Sequence, residues 1–305
     1  MNNSFLEDFK NAWGKPNNAL AQIILINVIV FVFHGVLLVL SELSGFPELY
    51  DLVREQFSLP ADLTAFLFRP WTILSYAFTH SMNRLLHILM NMLILYWFGK
   101  LIAEYLGSQK LISIYVLGAL TGGLAYMVIL NVFPYYSEMV PLAELVGASG
   151  AVYAVTVAAA TLMPDYVFHL LIFGPVRIKY IAAVVIFMSF LGSVGGNAGG
   201  NIAHLGGAAM GFLYIRQLQA GNDLGQWVIT WMTFFKSFFT KQSKIKVTHK
   251  TSRKSSRSAR SSTSGASASS VDQVEIDAIL DKISKSGYES LSKSEKQKLF
   301  NASKK

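Results

Sequence analysis

Four polar side chains lie inside otherwise apolar stretches of this sequence. Ser149 opens one apolar run, His204 lies in a later run, and His87 and Asn91 lie four residues apart in an earlier one. Polar groups in such runs are costly, which makes them candidates for function by default. A serine hydroxyl becomes a good nucleophile only when a base removes its proton, and histidine is the usual base near neutral pH. We therefore predict nucleophilic chemistry at Ser149 with His204 as its base.

The same residues suit the oxyanion that forms when a nucleophile attacks an acyl group. His87 and Asn91 share one face of a helix because they are four residues apart, and both can supply side-chain hydrogen-bond donors. Ser149 begins a predicted helix, where free backbone N–H groups and the positive end of the helix dipole favour an anion. These three residues together predict an oxyanion-binding site.

The composition indicates that lipid is the solvent for most of the chain. Apolar residues make up 52% of the 305 residues and charged residues 14%, with a mean hydropathy of +0.42, whereas soluble domains carry about 25% charge. The net charge of +8 suits cytoplasmic loops and tails facing anionic lipid better than it indicates nucleic-acid binding. The chain has no cysteine, which excludes a disulfide framework, a thiol nucleophile and a Cys-ligated metal site.

Six apolar runs are candidates for crossing a bilayer, whose core of about 30 Å takes about 20 helical residues. They cover residues 20–40, 85–106, 111–130, 147–163, 178–191 and 202–218. The distribution of Lys and Arg between the runs predicts that both termini lie on the inner, cytoplasmic side. The second, fourth and sixth spans then all run inward, with His87, Ser149 and His204 within about the first five residues of their spans. We therefore predict that these side chains share one layer near the outer face.

No carboxylate is placed to complete a catalytic triad in that layer. Glu104 and Asp165 lie at the inner ends of their spans, and two other acids lie in an outer loop. The sequence therefore predicts a Ser–His dyad. Asn201 lies one helical turn before His204 and is a candidate for orienting the histidine.

Small residues surround the predicted nucleophile and base. Gly147 and Gly150 lie on either side of Ser149, which leaves room for a substrate backbone to approach. Gly207 and Gly211 form a small-xxx-small pattern that allows two helices to pack closely. The serine does not lie in the G-x-S-x-G turn of soluble hydrolases, because the residue two positions after it is alanine and no strand precedes it.

Three motifs at these positions resemble those of the rhomboid family of intramembrane serine proteases. They are H-x-x-x-N at 87–91, G-A-S-G at 147–150 and A-H-x-x-G-x-x-x-G at 203–211. The resemblance covers roughly residues 20–218 and implies a six-helix core that cleaves peptide bonds in or beside transmembrane helices of other proteins. It implies no metal and no cofactor.

The resemblance also implies a role for each site residue. Ser149 is the nucleophile, His204 is the base, and His87 and Asn91 are oxyanion donors. Tyr153, one turn after the serine, matches the family's aromatic residue that packs on the catalytic histidine. The supporting glycines are Gly147, Gly150, Gly207 and Gly211.

The whole chain is predicted to be an all-α polytopic membrane protein. Its expected parts are a cytoplasmic N-terminal segment at 1–19, the six-span core at 20–218, an interfacial amphipathic helix at 219–240, a disordered basic Ser-rich linker at 241–270 and a small helical hairpin at 271–305. We expect a bacterial inner membrane, transmembrane proteins as substrates, the lipid bilayer as a partner, a cytosolic partner for the hairpin and no nucleic acid.

Two other classes of protein fit parts of this pattern. The first is a catalytically silent rhomboid relative that binds membrane clients without cutting them, although such relatives typically lose the serine or the histidine. The second is a small transporter, whose polar residues should instead trace a path through the membrane. Both alternatives predict that Ser149→Ala leaves function largely intact.

Overall fold

The computed structural model describes residues 14, 17–170, 174–239 and 268–302. The chain divides into two compact units, Met1–Gln242 and Ser243–Lys305. The helices described in the first unit are α1 Ala19–Leu43, α2 Glu48–Glu55, α3 Leu63–Phe68, α4 Thr72–Ser75, α5 Leu85–Leu106, α6 Ser108–Val132, α7 Ser149–Leu162, α8 Ile178–Leu191, α9 Ala198–Gln219 and α10 Gln226–Phe239. Short 3₁₀ helices cover Tyr76–Phe78, Pro134–Tyr136 and Gly192–Val194.

Helix α7 lies at the centre of the bundle formed by the long helices. Its residues from Gly150 to Ala160 are buried except for Tyr153, and it packs against α5, α6 and α9. Most of these residues are Ala or Val, so the neighbouring helices can approach it closely. On α8, by contrast, only Ile178, Ala182 and Ser189 are buried.

Glycines bring α7 and α9 into direct backbone contact. A Cβ atom added at Gly207 would lie 1.9 Å from the carbonyl oxygen of Gly150, and one added at Gly211 would lie 2.1 Å from the carbonyl oxygen of Ala154. Neither space can hold a methyl group, because real Cβ contacts are not shorter than about 3 Å. The small-xxx-small pair of α9 therefore packs directly on the helix that begins at Ser149.

Length and composition identify fewer membrane spans than the six predicted. Among the described residues, α1, α5 and α6 are long and apolar enough to cross a bilayer, while Ser149–Leu162 and Ile178–Val194 are shorter apolar helices. The six-span arrangement is therefore still a prediction, although each predicted run corresponds to a helix.

The helix bounds agree with the predicted runs at some ends and not at others. Helices α5 and α8 have the predicted limits, but α9 begins at Ala198, four residues before its predicted start at 202. His204 is consequently the seventh residue of its helix, whereas the predicted span start had placed it within about the first five. Gly199 and Gly200 disfavour a helix, but Gly199 packs so closely on the ring of Tyr126 that a Cβ would lie 2.6 Å from it.

The chain is mostly helical, as predicted, and two short antiparallel strand pairs occur among the helices. Strand β1 (Leu59–Pro60) pairs with β2 (Glu144–Leu145), and β3 (Val167–Leu170) pairs with β4 (Gly174–Arg177). Strands of two to four residues carry too few positions to show a two-residue periodicity in the sequence. The first pair links the loop between α1 and α5 to the segment just before Ser149.

The second unit contains helix α11 (Ala268–Ser286), a 3₁₀ turn and helix α12 (Lys293–Ala302). Ser292 and Glu295 form two reciprocal hydrogen bonds at the start of α12. The Glu295 carboxylate accepts from the Ser292 N–H at 2.7 Å, and the Ser292 hydroxyl accepts from the Glu295 N–H at 3.3 Å. Residues 241–267 of the predicted linker, and residues 1–13, 15 and 16 of the predicted N-terminal segment, lie outside the described residues.

We predict that Gly207→Ala lowers the free energy of unfolding by at least about 2 kcal/mol, because the added methyl group must separate α7 from α9. Thermal unfolding of the protein in detergent measures the loss. Gly196→Ala is the matched control, since no atom lies within 4 Å of the Cβ added there, and it should change stability by less than about 0.5 kcal/mol. Equal stability of the two variants would contradict the contact.

Candidate active site

The predicted site residues converge on one cavity of about 800 Å³. Helix α5 contributes His87 and Asn91, α7 contributes Ser149 and Tyr153, and α9 contributes His204. Asn91 is buried, whereas the other four side chains are half-buried at the cavity wall. Residues far apart in the sequence are thus brought to one place by three helices.

Ser149 is the first residue of α7, and no side chain caps this end of the helix. The first turn of a helix leaves N–H groups without intrahelical partners, so backbone donors are available beside the serine hydroxyl. Gly147 allows the chain to enter the helix in this way because its φ of +127° is unfavourable for other residues. A Cβ at Gly147 would also lie 2.8 Å from the ring of His87, so that imidazole packs directly against the segment that leads to Ser149.

The ring of His204 is held on one face and at one nitrogen. Tyr153 stacks on it, with 4.1 Å between ring centroids and 12° between the planes. Its Nδ1 lies 3.1 Å from the hydroxyl oxygen of Ser189 on α8, and that oxygen also lies 3.1 Å from the Tyr153 hydroxyl. Within the described residues, no hydrogen bond joins Ser149 to His204 directly, and such bonds often tighten only when substrate binds.

The sequence analysis did not identify Ser189, although a signal was present. Ser189 is the one Ser or Thr in the apolar helix α8, so the same criterion that selected the other polar residues would have selected it. The suggestion that Asn201 orients His204 was wrong. The Asn201 amide donates instead to the carbonyl oxygens of Gly192 at 2.9 Å and Asn197 at 3.0 Å, because helical side chains lean toward the N-terminus of their helix.

His80 joins the predicted oxyanion residues to the segment before Ser149. Its Nε2 lies 3.1 Å from the Asn91 amide nitrogen and accepts from the backbone N–H of Ala148 at 3.4 Å. The ring also contacts His87 edge to face, at 5.4 Å between centroids, and only 2% of His80 is exposed. Because Nε2 accepts from two donors, the neutral His80 ring carries its proton on Nδ1. His80 therefore fixes the position of Asn91 relative to α7.

The loop between α1 and α5 holds the same segment from the other side. Arg54 donates to the Glu144 carboxylate at 2.5 Å, and the Ser58 hydroxyl donates to it at 3.0 Å. Glu144 lies in β2, which pairs with β1. The backbone leading to Ser149 is thus attached to this loop by a strand pair and an ion pair.

No cluster of three or more His, Asp or Glu side chains suited to a metal ion occurs in the part of the chain that the structure describes.

Comparison with known proteins connects this site to one family. The family model for the Rhomboid domain matches residues 67–220, and a model for a family of unknown function, DUF6576, matches residues 269–305. The chain is 28% identical over 195 residues to Rhomboid protein 1, mitochondrial, of Saccharomyces cerevisiae, covering 61% of this chain and 52% of the relative. It is 31% identical over 163 residues to RHOMBOID-like protein 12, mitochondrial, of Arabidopsis thaliana, covering 50% and 47%.

A third relative is bacterial. The chain is 30% identical over 145 residues to Rhomboid protease GlpG of Haemophilus influenzae, covering 47% of this chain and 67% of the relative. The chain spans about half the length of the two mitochondrial relatives.

We predict that His80→Ala lowers the free energy of unfolding by about 1–3 kcal/mol, because it leaves the buried Asn91 amide and the Ala148 N–H without their acceptor. Chemical or thermal unfolding in detergent measures the change. His169→Ala is the control, since His169 is exposed in β3 and its loss should be nearly neutral. Similar stability of both variants would show that His80 does not hold this layer together.

Proposed function

The chain belongs to the rhomboid family of integral membrane proteins, and from that premise we propose that it is an intramembrane serine endopeptidase. Its substrates in this proposal are membrane proteins, cut in or beside a transmembrane helix. The observation that carries the proposal is the convergence of Ser149, His204, His87 and Asn91 on one cavity, with the serine at an uncapped helix N-terminus.

The proposed reaction proceeds by two acyl transfers. His204 accepts the hydroxyl proton through Nε2 while Ser149 Oγ attacks the carbonyl carbon of the scissile peptide bond. The C–N bond then breaks, and the proton passes from His204 to the leaving amine. A water molecule, deprotonated by the same histidine, then attacks the resulting ester. The bond between the acyl carbon and Ser149 Oγ breaks, Oγ takes the proton back from His204, and the new carboxylic acid ionises on release.

The oxyanion of each tetrahedral intermediate needs donors that are already in place. Asn91 is suited to this role because His80 holds its amide, and His87 is suited to it because the ring packs against Gly147 beside the serine. The backbone N–H groups at the start of α7 add donors with the positive end of the helix dipole. Donors fixed by packing need little reorganisation as charge develops, which is the main source of their effect.

The membrane setting is part of the proposal. A helix must unwind locally before its backbone fits a protease site, so substrates with helix-weakening residues near the cut are expected.

The Lys and Arg distribution favours cytoplasmic termini and six spans, with the site in the outer half. A bacterial inner membrane is the proposed location, although two relatives carry the word mitochondrial in their names.

The dyad is tested by comparing the wild type with Ser149→Ala and His204→Ala in lipid nanodiscs, on a single-span substrate with helix-weakening residues near its outer end. We expect either substitution to lower kcat/KM by at least about 10³-fold. Ser193→Ala is the matched control, because the hydrogen bond described for this hydroxyl goes to the Phe190 carbonyl oxygen of its own turn, and the variant should cut like the wild type.

Two outcomes would contradict the proposed function. Cleavage by all the variants at one rate would place the activity in another site or another protein. Binding of the substrate by wild type and Ser149→Ala alike, with no cleavage and no labelling of Ser149 by a fluorophosphonate, would instead identify a catalytically silent client-binding member of the family.

We predict that His87→Ala and Asn91→Ala each lower kcat by about 10²–10³-fold with little change in KM, because oxyanion donors act on the transition state. Steady-state cleavage kinetics measure both parameters. Met90→Ala is the control, since Met90 lines the same cavity between these residues without a hydrogen-bond donor. Equal effects on kcat and KM in all the variants would indicate that these side chains only shape the cavity.

A further inference from the structure

We infer that Ser189 is a positioning residue for the catalytic base, so that the site contains a Ser–His–Ser arrangement in place of a simple dyad. The Ser189 hydroxyl accepts a hydrogen bond from Nδ1–H of His204 and leaves the Nε2 lone pair free for the Ser149 proton. The inference rests on the proposed function and adds to it a third residue on a fourth helix.

The hydroxyl of Ser189 bonds to two side chains outside its own helix. Serines in helices commonly bond to a carbonyl oxygen of their own preceding turn, as Ser41 and Ser193 do here. The two hydrogen bonds described for Ser189 both leave its helix, one to His204 on α9 and one to Tyr153 on α7. Only 2% of Ser189 is exposed, so water does not compete for the hydroxyl.

The chain of hydrogen bonds has a consistent direction. Ser189 donates its one proton to the Tyr153 hydroxyl oxygen at 3.1 Å, which leaves the Ser189 oxygen as an acceptor toward His204 Nδ1 at 3.1 Å. A neutral imidazole that donates from Nδ1 is an acceptor at Nε2. The tautomer that a general base for Ser149 requires is therefore the one that Ser189 selects, while stacking of Tyr153 fixes the plane of the ring.

A hydroxyl in this position orients the base without adding a charge. A buried carboxylate would also stabilise the imidazolium that forms when Ser149 is deprotonated, whereas Ser189 contributes one neutral hydrogen bond. Its removal should therefore cost far less than loss of the acid in a triad, at about three- to tenfold in kcat. Since Ser189 is one of only three buried residues on α8, the position of that helix is coupled to the orientation of the base.

The test compares cleavage kinetics of the full-length wild type, Ser189→Ala, Ser189→Thr and Ser193→Ala in nanodiscs. We expect Ser189→Ala to lower kcat about three- to tenfold with KM unchanged within twofold. Ser189→Thr restores the hydroxyl and should recover most of the rate, and Ser193→Ala should match the wild type. Wild-type kcat in Ser189→Ala, or an equal change in KM for both alanine variants, would overturn the inference.

A double-mutant cycle separates positioning from simple packing. Tyr153→Phe keeps the stacked ring and removes the hydroxyl that receives the Ser189 proton, so the two substitutions act on one chain of hydrogen bonds. We expect Ser189→Ala combined with Tyr153→Phe to be no slower than Ser189→Ala alone, because interacting residues are not additive. Independent, multiplicative losses would contradict the coupling.

The tautomer of His204 is a readout that needs no catalysis. In the Ser149→Ala background, ¹⁵N NMR of labelled histidine, assigned by loss of the signal in His204→Ala, should show a protonated Nδ1 and an unprotonated Nε2. Ser189→Ala added to this background should mix the two tautomers, and an unchanged spectrum would overturn the inference. If the wild type fails to cleave while the spectrum changes as expected, the proposed function fails and the Ser189–His204 contact does not.

Discussion

The backbone contact between α7 and α9 is the constraint on which the site depends. The backbones of Gly150 and Gly207 touch. Ser149 lies one residue before Gly150, and His204 lies three residues before Gly207. The separation of the two helices therefore sets the separation of Ser149 and His204. In a bilayer the lipid is as apolar as the side chains, so close van der Waals packing of small residues takes over the role that the hydrophobic effect plays between helices in water.

A second feature is that several polar groups inside the bundle bond to partners within it. Tyr76 donates to the carbonyl oxygen of Ala119 at 2.7 Å, and Tyr115 donates to that of Ala77 at 2.8 Å. His80 and Ser189 bond in the same way beside the candidate site, the first to Asn91 and the second to His204. Unpaired polar groups are costly where water is scarce. The bonds that stabilise the bundle are thus also the bonds that orient the site.

The loop between α1 and α5 adds a third element of order. It reaches the segment before Ser149 through the pairing of β1 with β2 and through the Arg54–Glu144 ion pair. An ion pair that is partly exposed contributes little by itself, but together with the strand pair it gives the segment a defined direction. The positive φ of Gly147 then turns this segment into the start of α7 beside His87.

Much of this arrangement could be predicted from residue types and their spacing. Apolar runs indicated the helices because a helix that faces lipid must be apolar along its whole length. Helices α5 and α8 have the predicted limits. His87, Asn91, Ser149 and His204 stood out because polar residues are rare in such runs. The early start of α9 was missed, since the weak helix propensity of Gly199 and Gly200 is overcome by packing on Tyr126, which no local pattern reveals.

The contacts of individual atoms depended on tertiary structure alone. The sequence by itself determined which side chains could do chemistry and that they belong to one membrane-embedded bundle. It did not determine that Ser189, rather than Asn201, meets His204, because that depends on how α8 is rotated and placed against α9. It also did not reveal that His80 holds Asn91. Spacing within a helix specifies a face, whereas a hydrogen bond between helices requires two faces to meet within about 3 Å.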